Sequence, residues 1–300
     1  RYTEPTAEHA KVIPAWAYRD QVVDFLYGEA SIAGVLLPWS KTHDKIKLRP
    51  GEVSIWAGYN GSGKSMLLNQ IMLHAMVQDE RVCIASLEMQ PVHTLSRLFR
   101  QAAGVKEPTI QYIDKIEAFL TDKLWLYDQQ GTVKPERMLA VLRYCADGVL
   151  SGGKKHRITH FVIDSLMKCG INTDDYNRQK SFIDELCAHA RDSGMHIHVV
   201  AHSRKGDSEM SAMGKMDIKG ASEITDQVDN VYTLWRNKPK EDEVHKPVRK
   251  HAEEPDAILR CEKNRHGDFE GKFGLWYHPD TMQFTGDASG KTLYPLEDRT

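Results

Sequence analysis

The sequence predicts an α/β fold with a mostly parallel central sheet that helices cover on both faces. Short apolar, β-branched runs alternate with stretches of helical periodicity through most of the chain, an order typical of parallel sheets. Residues 158–163 are almost continuously apolar, as expected for a strand buried on both faces. Two final runs, 258–261 and 272–277, follow each other without a helical stretch between them and predict an antiparallel edge.

These patterns place the elements in chain order. Strands are predicted at residues 53–57, 82–87, 124–127, 158–163, 195–201, 228–235, 258–261 and 272–277. Helices are predicted at residues 15–29, after residue 65, and at 91–103, 109–121, 135–147 and 177–192. Pro91 suits the first position of its helix, where the missing N–H has no intrahelical partner to lose. The charged, proline-containing stretch 237–255 predicts an exposed hairpin tip or loop.

Composition limits the classes of function. The 300 residues suffice for one large α/β domain or two small ones, and 41% hydrophobic content suffices for a core. A net charge of −2 means that any contact with nucleic acid must come from local basic clusters. The five cysteines include no C-x-x-C pair and predict free or buried thiols in a reducing compartment, not a zinc site. No apolar run approaches the roughly 18 residues of a membrane-spanning helix. The sequence also shows no charged-then-apolar start with a cleavage site, so neither a membrane span nor secretion is predicted.

Residues 58–65 form the most informative motif, because they match G-x-x-x-x-G-K-[ST] between a predicted strand and a predicted helix. Glycines let the backbone turn successive N–H groups toward an anion, and the positive end of the helix dipole adds to the attraction. Lys64 is expected to reach the β- and γ-phosphates, and the Ser65 hydroxyl to bind Mg²⁺. The residues expected to contact the nucleotide are Gly58, Asn60, Gly61, Ser62, Gly63, Lys64, Ser65 and Met66.

Polar side chains end three of the predicted strands, on the side where ligands collect in α/β sheets. Asp164 is a candidate Mg²⁺ ligand, with a turn-capping aspartate as the alternative. Glu88 is a candidate base for the water that attacks the γ-phosphate, or a first-turn residue favoured by the helix dipole. His202 is a candidate γ-phosphate contact or a structural histidine.

Three further features allow two interpretations each. The polar loop 203–219 carries Arg204, Lys205 and Lys219 among acidic residues, and is either a phosphate-binding loop or a solvated one. Lys263 and Arg265 are either an ordinary surface pair or an arginine finger for another subunit. Helix 15–29 is amphipathic and packs either on its own domain or on a neighbouring subunit.

Taken in order, these motifs resemble the hexameric replicative DNA helicases, a DnaB-like, RecA-fold family that includes the mitochondrial helicase Twinkle and the phage primase-helicases. A histidine at 202, where bacterial members have glutamine, resembles the phage and Twinkle branch. The resemblance extends from about Gly34 to Phe284 and rests on G-Y-N-G-S-G-K-S at 58–65, S-L-E-M at 86–89, F-V-I-D-S at 161–165, V-A-H at 200–202 and K-N-R-H-G at 263–267.

The resemblance implies a RecA-like P-loop NTPase core at residues 31–300, preceded by a lead-in and a short linker helix at residues 1–30. It implies binding of ATP, or another NTP, with Mg²⁺. For the chemistry, it implies that Lys64 contacts phosphate, Ser65 and Asp164 bind Mg²⁺, Glu88 is the catalytic base and His202 is the γ-phosphate sensor. It implies that Arg265, with Lys263 as its companion, is a finger that enters the neighbouring subunit's ATP site.

Two further sets of contacts are implied. Arg236 and Tyr277 would hold the nucleotide base, and the DNA would be contacted by Arg204, Lys205, Lys219 and the Gly220 backbone.

The function implied is that of an ATP-dependent replicative helicase that moves on single-stranded DNA as a ring, most often six-membered, and unwinds duplex, with hydrolysis at subunit interfaces. Its expected partners are single-stranded and forked DNA, further copies of the chain, a primase and a polymerase, with no membrane. The expected compartment is the cytoplasm, that of a host if the chain is phage-encoded, with the mitochondrial matrix as the alternative. Relatives usually carry an N-terminal primase or loader-binding domain, whereas a short helix precedes the motor in this sequence. A recombination ATPase of the RecA/RadA type, a signalling ATPase of the same fold and an assembly scaffold remain alternative functions.

Overall fold

The computed structural model describes residues 12–27, 34–171, 175–202, 224–292 and 294. The chain divides into two compact units, Arg1–Gly34 and Val35–Thr300. In the first unit, a short 3-10 turn at Ala15–Tyr18 leads directly into helix α1, Arg19–Tyr27. Trp16 on the turn is 77% exposed. Part of the predicted helix 15–29 is therefore a 3-10 turn.

The second unit contains the predicted alternation of strands and helices. Its strands are β1 (Val35–Leu36), β2 (Lys47–Leu48), β3 (Val53–Gly58), β4 (Val82–Ser86), β5 (Leu124–Leu126), β6 (Val149–Ser151), β7 (Lys154–His156), β8 (His160–Asp164), β9 (His196–His202), β10 (Asn230–Arg236), β11 (Ala257–Asn264), β12 (Gly271–His278) and β13 (Gln283–Thr285). Its helices are α2 (Lys64–Val77), α3 (Pro91–Ala103), α4 (Ile110–Leu120), α5 (Pro135–Asp147), α6 (Tyr176–Ser193) and α7 (Lys238–Asp242).

Within the described residues, nine of these strands form one sheet in the order β13-β12-β11-β10-β3-β9-β8-β4-β5. The six strands from β10 to β5 are parallel to their neighbours, while β11, β12 and β13 pair antiparallel and form one edge. The predicted α/β fold, with its mostly parallel sheet and antiparallel edge, is confirmed. Every parallel strand of this sheet ends on the same side, which is where the functional residues gather.

The sheet separates two hydrophobic cores. Helices α5 and α6 pack on one face, with Leu142 and Leu186 fully buried there. Helices α2, α3 and α4 cover the other face, around Leu68, Leu98 and Ile116. Burial of both faces explains why the parallel strands appear as continuous apolar runs in the sequence.

The structure contains further elements that were not predicted. Strands β1 and β2 pair with each other, and β6 and β7 form a hairpin. Strand β13 was not predicted. Residues 237–255, predicted as an exposed tip or loop, include α7 and begin at the buried Asn237, whose side-chain amide donates hydrogen bonds to Glu254 and to the carbonyl of Pro255. Within that stretch, residues 244–250 are exposed as predicted.

Three histidines are stacked inside the sheet near the amino ends of β8 and β9. His160, His196 and His198 are buried, and the closest ring pair, His196 and His198, has centroids 4.4 Å apart. His198 Nδ1 accepts a hydrogen bond from the indole of Trp56 at 3.2 Å, and its Nε2 lies 3.0 Å from His160 Nδ1. His196 lies 2.8 Å from the hydroxyl of Ser54.

This arrangement suits neutral imidazoles. Because His198 accepts from Trp56 at Nδ1, its proton is on Nε2, where it donates to His160. Burial lowers the pKa of His196 to about 4, and it lowers the pKa of His160 and His198 well below 6.5. The nearest charged groups are Glu80, 3.9 Å from His160, and Asp229 and Arg49, which act on His196 in opposite directions.

Because these buried histidines are neutral, we expect the free energy of unfolding to fall in mild acid. The folded state binds fewer protons than the unfolded chain once the pH falls below 6.5, so their contribution is complete above that pH and is lost as the pH falls toward their folded pKa values. Replacing His198 with Gln should make the free energy of unfolding fall less steeply with acid, by up to about 1.4 kcal/mol per pH unit. Urea unfolding between pH 8 and pH 5 measures the slope.

The same substitution at the exposed His245 is the matched control and should follow the wild-type slope. Equal slopes for the His198 variant and the wild type would show that the stacked histidines do not couple folding to protons.

Candidate nucleotide-binding and catalytic site

The glycine-rich loop connects β3 to α2, as the motif predicts. Gly61 and Gly63 have φ angles of 75° and 91°, in the left-handed region that favours glycine. A Cβ on Gly58 would lie 2.5 Å from the carbonyl oxygen of Leu234 and 2.6 Å from Ser62 Oγ. The first glycine is therefore required by close packing, and the other two by backbone conformation.

Lys64 begins α2 and is 6% exposed. Its ammonium donates hydrogen bonds to the carbonyls of Gly58 and Tyr59, each at 2.9 Å, and so lies across the loop. Burial lowers the pKa of Lys64 to about 8, while the carboxylates of Asp164 and Glu88 oppose that shift. A buried cation beside loop N–H groups is suited to bind phosphate.

Ser65 and Asp164 come together on the other side of the loop. Their side chains are hydrogen bonded, and burial raises the pKa of Asp164. Both residues line a narrow cleft with Ser86 and Thr94. A hydroxyl and a carboxylate are hard oxygen ligands of the kind that Mg²⁺ prefers, and Mg²⁺ often takes few ligands from the protein and the rest from phosphate and water. The donor set therefore fits Mg²⁺.

Glu88 and His202 also meet at this edge. His202 Nε2 lies 3.6 Å from Glu88 Oε1, and the two side chains are 20% and 42% exposed respectively. Ser165 donates a hydrogen bond to the same Oε1 at 2.7 Å. Ser165 ends the F-V-I-D-S motif. The sequence analysis gives it no role, although its place directly after Asp164 was a signal that it would lie at the same edge.

Arg236 and Tyr277, the predicted base contacts, lie beside the loop. Arg236 ends β10, forms an ion pair with Glu241 and approaches the carbonyl of Gly61 at 3.5 Å. The Tyr277 hydroxyl donates a hydrogen bond to Met66 Sδ at 3.5 Å, and burial raises the pKa of Tyr277. The structure thus brings Arg236, Tyr277 and Met66 to one side of the phosphate-binding loop.

Two further residues near the loop were not predicted. Phe284, on β13, packs against Gly63 so closely that a Cβ there would lie 3.1 Å from its ring. Its backbone N–H and carbonyl are both bonded to the side chain of Gln70 on α2. Lys238, on α7, lines a shallow depression with Asn60 and Arg236. No local motif marks either residue, because both come from distant parts of the chain.

Lys263 and Arg265 lie at the end of β11, away from the loop's lysine. The Lys263 ammonium donates to three backbone carbonyls of its own chain, at 2.9, 2.9 and 2.7 Å, those of Thr225, Asp226 and Val228. Arg265 is 39% exposed and pairs with Asp229 at 3.2 Å. Its guanidinium also donates to the carbonyls of Asp226 and Gln227. The two side chains therefore bind backbone carbonyls and the Asp229 carboxylate within residues 225–229 of their own subunit.

The predicted DNA contacts Arg204, Lys205, Lys219 and Gly220 lie outside the described residues. Elsewhere, all five cysteines are free and buried, as predicted. No helix in the described ranges has both the length and the apolar character needed to cross a bilayer. Nor does that part of the chain gather three or more histidine, cysteine or acidic side chains into a metal cluster.

Comparison with known proteins agrees with this arrangement. A model of the DnaB-like helicase C terminal domain matches residues 44–286. One solved ATPase domain superimposes with a TM-score of 0.71 at 14% identity, over 89% of this chain and 98% of that one. A DnaB-like replicative helicase, studied with its interactions with primase, gives 0.67 at 14% identity, over 91% of this chain and 67% of that one. The fold is RecA-like, and the chain belongs to the DnaB-like helicase family, whose members are nucleotide-hydrolysing enzymes.

Proposed function

We propose that this chain is the motor of a replicative DNA helicase, which hydrolyses ATP, or another NTP, between the subunits of a six-membered ring. In this proposal the ring moves along single-stranded DNA and separates the strands of a forked duplex. The convergence of Lys64, Ser65, Asp164, Glu88 and His202 at one edge of the sheet is the observation that carries it. The known interaction of a DnaB-like relative with primase supports a primase as one partner.

The positions of the residues support the following roles in this proposal. Lys64 binds the β- and γ-phosphates and offsets charge that develops during transfer. Ser65 and Asp164 would hold Mg²⁺, which would supply further positive charge at the phosphates. Glu88 is placed to accept a proton from the attacking water. His202 lies 3.6 Å from Glu88. It would contact the γ-phosphate and, on loss of that phosphate, its contact with the Glu88 carboxylate would change.

Hydrolysis at a subunit interface is supported by the place of Arg265. The residue lies at the end of β11 and is 39% exposed, although it is tied to Asp229. An exposed guanidinium held in a fixed place is suited to enter a neighbouring subunit's nucleotide site. Lys263 uses its three donors on backbone carbonyls of its own chain, which supports an anchoring role beside the finger. The apolar residues exposed on α1 and the preceding turn are suited to contact another subunit.

Strand separation is the first test. Two forked duplexes are compared, one with a 5′ single-stranded tail and one with a 3′ tail. The full chain, given ATP and Mg²⁺, should unwind one of the two, and Lys64→Ala should abolish this activity. Release of a labelled strand measures it. If single-stranded DNA stimulates hydrolysis but neither fork is unwound, a recombination ATPase is favoured. If DNA has no effect on hydrolysis, a signalling ATPase is favoured.

The second test asks whether Arg265 acts in trans. Arg265→Ala and Lys64→Ala should each lower steady-state hydrolysis about a thousandfold or more when assayed alone. Mixed rings should recover activity, because some interfaces then combine an intact Lys64 with an intact Arg265 from the neighbour. Phosphate release over a series of mixing ratios measures the recovery. No recovery in rings that electron microscopy shows to be mixed would contradict a finger in trans.

The third test concerns loop 203–220. Arg204→Ala with Lys205→Ala should keep basal hydrolysis but weaken its stimulation by single-stranded DNA. The loss of phosphate contacts should also make DNA binding less dependent on salt. The matched control replaces Lys154 and Lys155, adjacent exposed lysines on the β6–β7 hairpin, with alanine. Equal stimulation in both double variants would rule out this pair as the DNA contact.

A further inference from the structure

The Glu88 carboxylate has a buried partner, Ser165, to which the sequence analysis assigns no role. Ser165 is fully buried, and its hydroxyl donates to Glu88 Oε1 at 2.7 Å. Glu88 itself is partly exposed, at 42%. A hydrogen bond to an ionised carboxylate is among the stronger ones in proteins. The contact therefore joins an immobile donor to a side chain that would otherwise move in solvent.

The backbone around Ser165 is fixed on both sides. The carbonyl of Asp164, the preceding residue, accepts a hydrogen bond from the N–H of Leu87 at 2.7 Å, next to Glu88. The carbonyl of Ser165 accepts at 3.0 Å from the N–H of Lys168, the last residue of the short 3-10 turn Leu166–Lys168. The backbone hydrogen bond between Leu87 and Asp164 thus joins the chain beside Glu88 to the chain beside Ser165. The distance between the two side chains therefore depends little on loop motion.

Within the part of the chain that the structure describes, two side chains lie near the same Glu88 oxygen. Ser165 and His202 each approach Oε1, at 2.7 Å and 3.6 Å. With Oε1 accepting from Ser165, Oε2 is the carboxylate oxygen that would take the proton from water. A general base must stand within hydrogen-bond reach of that proton, and misplacement by about 1 Å can cost a hundredfold in rate.

We propose that Ser165 is a positioning residue, which aims the Glu88 carboxylate at the attacking water. The inference rests on the proposed function, since it needs Glu88 to act as the base. Because Ser165 is buried, it acts through Glu88 and does not touch the substrate itself.

The test compares steady-state hydrolysis by variants of the full chain. Ser165→Ala should lower kcat about ten- to hundredfold, with KM changed less than about twofold. Ser165→Thr keeps the hydroxyl and should recover most of the loss. Ser151→Ala is the matched control, because Ser151 also donates to a carboxylate, that of Asp122, at 3.2 Å and far from the site. Its kcat should equal that of the wild type.

A double variant separates positioning from other effects. If Ser165 works only through Glu88, then Ser165→Ala should add nothing to Glu88→Gln. A double variant slower than Glu88→Gln, or a Ser165→Ala variant with the wild-type kcat, would overturn the inference. So would a Ser165→Thr variant as slow as Ser165→Ala when both bind nucleotide with the wild-type Kd. Wild-type hydrolysis by Glu88→Gln would instead contradict the proposed function.

Discussion

The backbone ladder between parallel strands β3, β9, β8 and β4 is the constraint on which the site depends. Its register pairs Gly58 with His202 and Ser86 with Asp164. The loop, the sensor candidate His202 and the metal-ligand candidate Asp164 therefore lie at one edge, although their strands begin far apart in the sequence. A slip of one residue would turn each side chain to the opposite face of its strand, so the apolar burial that fixes the register also fixes the chemistry.

The parts of the site that the sequence predicts are those with a local cause. Glycines, lysine and serine in a fixed spacing determine the loop, and an apolar strand that stops at an acid determines Asp164. The bond from Ser165 to Glu88 spans 77 residues, and the one from Gln70 to Phe284 spans 214. Such contacts depend on which strands are neighbours, and hydrophobic periodicity does not contain that information. Strand β13 was missed because it is three residues long, too short to show a periodic pattern.

Asp229 explains how the basic pair after β11 relates to the loop. One of its carboxylate oxygens pairs with Arg265, and the other accepts a hydrogen bond from the N–H of Val53 at 2.9 Å. Val53 begins β3, the strand that ends at the phosphate-binding loop. The finger candidate is thus fixed to the same strand that carries its own subunit's nucleotide loop. In the proposed ring, each subunit would hold its loop and its finger on one rigid body, so that motion between subunits changes the distance from a finger to the neighbour's nucleotide.

Buried ionisable side chains lie at both ends of the central strands, but in different electrostatic settings. At the amino ends, His160 and His196 are buried, and their lowered pKa values keep them neutral, so hydrogen bonds alone satisfy them. At the carboxyl ends, Lys64 and Asp164 lie in a setting where burial disfavours both charges, as the lowered pKa of the first and the raised pKa of the second indicate. Charges held at such a cost are common at functional sites, because a ligand of complementary charge relieves the cost when it binds. A triphosphate with its cation carries both complements, which is why these residue types, gathered at this edge, suit nucleotide chemistry better than a purely structural role.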